Sequence, residues 1–233
     1  MPIAIITGAS RGLGLELARA LAQRDWALVI DARGTAELER VARELGAITE
    51  VVAVPGDVSD EWHRGAVVEA AGDEVDLLVN NASVLGPSPQ PALAQYPLGE
   101  LERVYRVNVL APLALAQLVV PRLPDGGCII NVTSDAAVEP YEGWGGYGSS
   151  KAALEQLTAI LAAEQPALRV YAADPGDMRT QMHQEAFPGE DISDRPPPNE
   201  SVPGMLALIE GRLPSGRYRA KGLPASAVTA LSS

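Results

Sequence analysis

Tyr147-Gly148-Ser149-Ser150-Lys151 sets a phenol and an ammonium four residues apart. On a helix that spacing puts both on one face, within reach of one ligand. Ser134 lies 13 residues upstream, just past an apolar run. A phenol titrates near pH 10, too high for ready proton exchange at neutrality, and a nearby ammonium favours the phenolate. A downward shift of about 3 units would correspond to ~4 kcal/mol of differential interaction. A hydroxyl, a phenol and an ammonium together can hold an oxygen atom and give or take its proton. A Tyr-x3-Lys pair on its own is usually a packed tyrosine and a solvated lysine, so its weight depends on what accompanies it.

What accompanies it is a glycine loop, Thr7-Gly8-Ala9-Ser10-Arg11-Gly12-Leu13-Gly14. It follows an apolar run and opens a helical pattern, the context a phosphate-binding turn requires. Glycines let a pyrophosphate approach the helix N-terminus, where free N–H groups and the dipole favour anions. The Gly-x3-Gly-x-Gly spacing differs from the usual Gly-x-Gly-x2-Gly, and an ordinary tight turn is the alternative. The reading is a dinucleotide site formed by Gly8, Ser10, Arg11, Gly12, Leu13 and Gly14.

These groups are far apart in the chain, and strand–helix alternation is what can bring them together. Strands are predicted at Ile3–Thr7, Ala27–Asp31, Glu50–Val54, Val75–Asn80, Gly127–Thr133, Leu168–Ala173 and, weakly, Gly216–Ala220. Helices are predicted at Gly12–Arg24, Thr35–Leu45 (Thr35 as N-cap), Ser59–Ala71 (Ser59 as N-cap), Leu98–Val120, Tyr147–Glu164 and Ser201–Glu210. Residues 177–199 read as irregular, with Pro196-Pro197-Pro198 inside. Such alternation means a parallel sheet with helices on both faces, and continuous apolar strands such as IAIIT and CIINV fit a doubly covered sheet. The ligand crevice of such a sheet borders the strands' C-terminal ends, where Ser134 falls.

The chain of 233 residues is 47% apolar, long enough to bury a core without staples. Thirty Asp and Glu against 18 Lys and Arg give a net charge of −12. That balance argues against nucleic-acid or membrane binding. A single cysteine, Cys128, excludes an internal disulfide and suits the cytoplasm; with two histidines it makes a metal site an unfavoured reading. No run approaches 18 consecutive apolar residues, and the N-terminus lacks signal-peptide character.

Taken together the motifs resemble the short-chain dehydrogenase/reductase family, of the short single-domain type. They are TGASRGLG at 7–14, GDV at 56–58, NNAS at 80–83, Asn108 within RVNVLAP, Ser134 within INVTS, YGSSK at 147–151 and DPGDMRT at 174–180. The resemblance implies one Rossmann-type domain over residues 1–233, a three-layer αβα sandwich with a variable substrate loop at about 177–199. It implies an oxidoreductase in which Tyr147 is the general acid for carbonyl reduction, or the base for alcohol oxidation. Ser134 would bond the substrate oxygen, and Lys151 the nicotinamide ribose. Asn108 would support a proton-relay water. Asp57 and Val58 would flank the adenine, and Asn80 and Ala82 would lie along the adenosine ribose. Pro175, Gly176, Met178 and Thr180 would fix the nicotinamide end. Two departures stand out: Ser83 replaces the family's glycine in NNAG, and the last strand reads Gly216-Arg217-Tyr218-Arg219-Ala220 rather than ending in Asp-Gly-Gly.

The end of the second strand bears on cofactor choice. A carboxylate there accepts from the ribose 2′-OH and selects NAD, and Asp31 has that look. In the family's register the selecting acid falls one place later, at Ala32, and Arg33 takes an NADP-selecting position with Arg11 as its partner. NADP(H) is therefore expected, with NAD(H) as the alternative. The alternatives for the whole chain are an NAD-dependent alcohol dehydrogenase with the same site and a dinucleotide-binding regulator without turnover. Tyr141, Trp144 and Met182 are candidate substrate contacts, with Phe187 and Met178 in a flexible lid. His63 and His183 read as surface residues, and Trp26 and Trp62 as covers for helix–sheet seams. Apolar residues surround two helices (Leu110, Leu113, Leu118; Leu154, Leu157, Ile160), more than one sheet face can bury. That excess, with the family's pairing through these helices, implies a homodimer or homotetramer acting on a small carbonyl or alcohol.

Overall fold

The computed structural model describes residues 1–223. Seven strands form one parallel sheet: β1 (Ile3–Ile6), β2 (Ala27–Ala32), β3 (Val51–Pro55), β4 (Leu77–Asn80), β5 (Cys128–Val132), β6 (Arg169–Asp174) and β7 (Gly216–Arg219). Their spatial order is β3-β2-β1-β4-β5-β6-β7, so the winding reverses between β1 and β4. The predicted strands all appear, with ends shifted by one or two residues.

Register explains the two cores. Val52, Val29, Ile5, Leu78, Ile129 and Val170 lie side by side across the sheet. Most of that row packs on one face against α3 (Glu61–Ala71) and α5 (Ala111–Val119), through Val67, Val68, Leu115 and Val119. The next row, Ile30, Ile6, Val79, Ile130 and Tyr171, points the other way, as successive strand residues must. It meets α1 (Gly12–Ala22), α2 (Thr35–Leu45) and α8 (Val202–Glu210) through Leu17, Leu38 and Met205. Complete burial of each such side chain contributes about 1.5–3 kcal/mol.

The run predicted as one helix at 98–120 is three pieces: α4 (Leu98–Tyr105), a π-helical segment (Arg106–Leu110) and α5. Pro112 has no N–H to give back to Asn108, and the Ala111 N–H reaches Arg106 instead, one residue further than in an α-helix. By length and mean hydropathy (1.4) Leu98–Arg122 resembles a membrane span, yet half of that stretch is buried in the protein as a core helix.

Helix starts differ from prediction. α3 starts at Glu61, so Asp60 and not Ser59 stands at its cap, its carboxylate accepting from the His63 N–H. Gly34, not Thr35, precedes α2, with no side-chain cap. α6 (Gly145–Glu164) begins two residues before Tyr147. The 177–199 region holds a short helix, α7 (Gln181–Ala186), capped by Thr180. Trp62 is 89% exposed and covers no seam, whereas Trp26 packs on the core.

Candidate active site

At the C-terminal ends of the central strands lies a cleft of about 860 Å³. It starts at the glycine loop, between β1 and α1. Gly8 has φ +66°, a left-handed conformation that suits glycine, and a Cβ there would sit 3.0 Å from the Ala82 Cα. Gly14 lies behind the loop, where a Cβ would meet the Gly8 carbonyl oxygen at 2.6 Å. The loop is tied down from two sides. The Asn81 Nδ2 donates to the carbonyls of Thr7 (2.9 Å) and Gly8 (3.1 Å), and the Gly8 N–H donates to the Asp31 Oδ1 (2.9 Å). α1 has no side-chain cap and no acid in its first turn, so its N-terminus presents unmasked N–H groups to an anion. Ser10, Arg11, Gly12 and Leu13 line this end.

Asp31 borders the cleft, and both of its oxygens are engaged within the fold. Its second oxygen pairs with the His63 Nε2 at 2.8 Å, and the two side chains are 1% and 9% exposed. This corrects the surface reading of His63: α3 packs its imidazole over Gly56, where a Cβ would clash with the ring. Arg33 is exposed at the cleft edge. Arg11 does not converge on it; its guanidinium bonds the Gln181 side chain across the cleft. Asp57 and Val58 line the cleft beside them. Burial pushes the Asp57 carboxyl up, but hydrogen bonds from Ser59 and the charges of Arg33 and His63 outweigh it and hold it below its usual range.

At the other end Ser134, Tyr147 and Lys151 come together, as the i, i+4 spacing predicts. Ser134 follows β5; its Oγ donates to the Asp135 Oδ1 (2.9 Å) and accepts from the Ala136 N–H. The buried Lys151 donates from Nζ to the Val132 carbonyl (2.7 Å) and lies 5.5 Å from the Tyr147 ring centre. Its pKa is pushed down to about 7 by burial, with Glu155 pulling the other way. The Tyr147 phenol moves up, through burial first and then the charge of Asp174, against the Ser83 and Ser134 hydroxyls. The expected lowering of the phenol by the ammonium is thus reversed: desolvation favours the neutral form of both groups.

Asn108 and Asn80 are not on the cleft wall. Asn108 is wholly buried in the π segment and fully bonded: it gives to the Val84 carbonyl and the Ser150 Oγ and accepts from the Val84 N–H and the Ser83 Oγ. Its side chain therefore ties the 80–84 loop to α6, and the Ser83 departure supplies one of its bonds. Asn80 is buried between strands and donates to the Asn131 Oδ1 (2.8 Å). Its neighbour Asn81 lines the cleft, as do Ala82, Pro175, Gly176, Met178 and Thr180. Trp144 and Met182 line it too, while Tyr141 lies outside and gives its hydroxyl to Asp135.

Three residues have structural parts that the sequence patterns did not reveal. Asn81 and His63 brace the glycine loop, as above. Arg217, on β7, donates to Glu155 (2.9 Å), Asp174 (3.1 Å) and the Ser134 carbonyl (3.3 Å). It is the departure noted in the last strand, and only the β6–β7 pairing reveals where it points.

Residues 2–191 match the family described as short chain dehydrogenase. The chain is 35% identical over 195 residues to the benzil reductase ((S)-benzoin forming) of Saccharomyces cerevisiae, covering 78% of this chain and 74% of that one. A short chain dehydrogenase from Pseudomonas syringae superposes with a TM-score of 0.87 at 29% identity, covering 94% of each chain. An alcohol dehydrogenase from Thermococcus sibiricus, solved with 5-hydroxy-NADP, superposes with a TM-score of 0.83 at 30% identity, covering 96% of this chain and 99% of that one. The chain belongs to the short-chain dehydrogenase/reductase family and is an NAD(P)-dependent enzyme acting on CH–OH or carbonyl groups.

Proposed function

We propose that the enzyme reduces a small aldehyde or ketone to the alcohol with NADPH, Tyr147 giving the proton. The observation that carries this is the convergence of Ser134, Tyr147 and Lys151 in one cleft with a buried phenol held in its neutral form. A protonated phenol is what carbonyl reduction needs at the oxygen. The bound nicotinamide supplies the hydride to the carbonyl carbon. Ser134 holds the carbonyl oxygen toward the Tyr147 hydroxyl, which hands over its proton as charge builds on that oxygen. Lys151 binds the ribose hydroxyls and, once a dinucleotide excludes water, stabilises the phenolate left behind. Asn108 acts through Ser150 and the 80–84 loop, by keeping α6 in register with the cofactor wall.

The preference for NADPH rests on Arg33 at the cleft edge and on Asp31 being engaged within the fold. The reductase relative and the NADP-type complex of the Thermococcus enzyme agree with this reading. A carbonyl panel assayed with NADPH and with NADH tests it: turnover of aldehydes or ketones, faster with NADPH at limiting cofactor, is expected, and NADH preference refutes the cofactor assignment. In the same reading the enzyme is a homodimer through α5 and α6. Leu118 on α5, Ile160 on α6 and Leu110 in the π-helical segment just before α5 stay 43–56% exposed. A monomer by light scattering at micromolar concentration refutes that.

A further inference from the structure

The chain is poor in aromatic residues, with three tryptophans, six tyrosines and one phenylalanine. Three of these gather beside a fourth, Tyr147. The Trp144 indole stands edge-on to the Tyr147 ring, centres 5.8 Å apart. Phe187 backs it at 5.9 Å and Tyr141 at 6.2 Å. Leu85, Ala136, Met182 and Ala186 complete an apolar cluster around the phenol. An indole held by three aromatic neighbours is a fixed wall rather than a mobile surface group, and it faces the cleft.

Acids outnumber the unengaged cations at this end. Asp135, Asp177 and Glu185 line the cleft here, and Asp135 touches the Ser134 hydroxyl. Of the cations near this end, Arg179 is exposed and turned to the Ser193 carbonyl, Lys151 is engaged by the Val132 carbonyl, and Arg195 is paired with Asp194 while lying 3.9 Å from Asp177. His183 stacks on Phe187, and burial holds its pKa below the usual value, so it is uncharged at neutral pH. Of the other lining arginines, Arg103 is paired with Glu100, while Arg11 and Arg33 belong to the glycine-loop end.

We propose that the pocket beside Tyr147 takes a carbonyl compound bearing an uncharged aromatic group and discriminates against anionic carbonyl compounds; this rests on the carbonyl-reduction reading above. Aromatic rings gain from edge and offset contacts beyond their buried area, about two- to tenfold in affinity. A carboxylate or sulfonate placed here loses its hydration beside acids, and Lys151 and Arg195 nearby are already engaged by Val132 and Asp194.

The test uses ketones whose carbonyl is insulated from the ring, so that intrinsic reactivity is matched. Phenylacetone is compared with cyclohexylacetone, and 4-(2-oxopropyl)benzoate with its methyl ester. With NADPH, kcat/KM is expected to favour phenyl over cyclohexyl by about threefold to tenfold. The ester is expected to exceed the free acid by more than about tenfold. Trp144→Leu should abolish the first preference, and Glu185→Gln should narrow the second. The same four compounds are titrated against the tryptophan fluorescence of the NADP⁺-loaded protein, which reads binding without turnover. Equal use and binding of acid and ester, or a phenyl preference that survives Trp144→Leu, overturns the proposal. The expected binding order with no ketone reduced supports this pocket and refutes the carbonyl-reduction reading instead.

Discussion

Asp31 and His63 form a nearly dry pair, 2.8 Å from Oδ2 to Nε2, and the other Asp31 oxygen holds the Gly8 N–H. The acid at the end of β2 therefore works inward, bracing the glycine loop. His63→Ala leaves one carboxylate oxygen unpartnered in a buried place, which is expected to cost about 1–3 kcal/mol of stability. It should weaken NADPH and NADH by a similar factor, because the loop serves both. Arg33→Ala is expected to behave differently: NADPH binding falls about 10- to 150-fold, the worth of one charge-assisted bond, and NADH binding barely changes. Fluorescence titration with both cofactors separates the two patterns. If His63→Ala instead improves NADH binding alone, Asp31 reads the ribose and the inward role is wrong.

Tyr147→Phe removes the proton donor and keeps the ring that packs on Trp144. Turnover of a good carbonyl substrate is expected to fall to below about a tenth, with the NADPH dissociation constant unchanged. Retained turnover would move the proton-donor role to another group.

The parts of this molecule that follow from local pattern were legible in the sequence. Apolar runs marked the strands, the i, i+4 spacing put Tyr147 and Lys151 on one helical face, and the glycine loop fell where the β1–α1 turn lies. What depends on the path of the chain through space was not. His63 gave no sign of burial, because its partner is 32 residues away and meets it only through the packing of α3 on β2. Arg217 read as an odd last strand until pairing with β6 aimed it at Asp174. The direction of the Tyr147 shift was misread because spacing reports charge neighbours and says nothing of desolvation.

Cys128 gives the protein an alkaline weakness. Its thiol is pushed up to about 12 by complete burial on β5. The native state keeps that proton while the unfolded chain releases it near pH 9, so the folded state binds more protons between those values. Stability contributed by the protonated thiol is therefore whole below about pH 9 and falls as pH rises toward 12, by about 1.4 kcal/mol per unit. The Tyr171 phenol, also pushed to about 12 chiefly by burial, adds to the fall above pH 10. Urea unfolding at pH 8 and pH 10 measures the slope. Cys128→Ala is expected to be less stable at pH 8, through the lost sulfur packing, yet to lose less on going to pH 10. An unchanged slope would mean that the thiol ionises without unfolding.

Arg217 on β7 joins three parts of the site: Glu155 on α6, Asp174 at the end of β6, and the Ser134 carbonyl after β5. Asp174 in turn accepts from the Gly176 N–H, so the guanidinium also steadies the 174–177 turn. Removing it leaves Glu155 with the Thr133 hydroxyl and Asp174 with the more distant Arg219 at 3.8 Å, in places where the two acid side chains are only 15% and 4% exposed. Full burial would put that cost at about 3–5 kcal/mol; Arg217 is itself 27% exposed, so solvent screening lowers the expectation to about 1–3 kcal/mol. Arg217→Gln should show that loss in urea unfolding. Arg217→Lys should recover only part of it, because a single ammonium cannot span three acceptors as the planar fork does. With Arg217 no longer offsetting it, the Asp174 charge should also push the Tyr147 phenol further up, raising the alkaline limb of the pH–kcat profile in Arg217→Gln. Full stability and an unmoved profile in that variant would show that the network bears neither on the fold nor on the phenol.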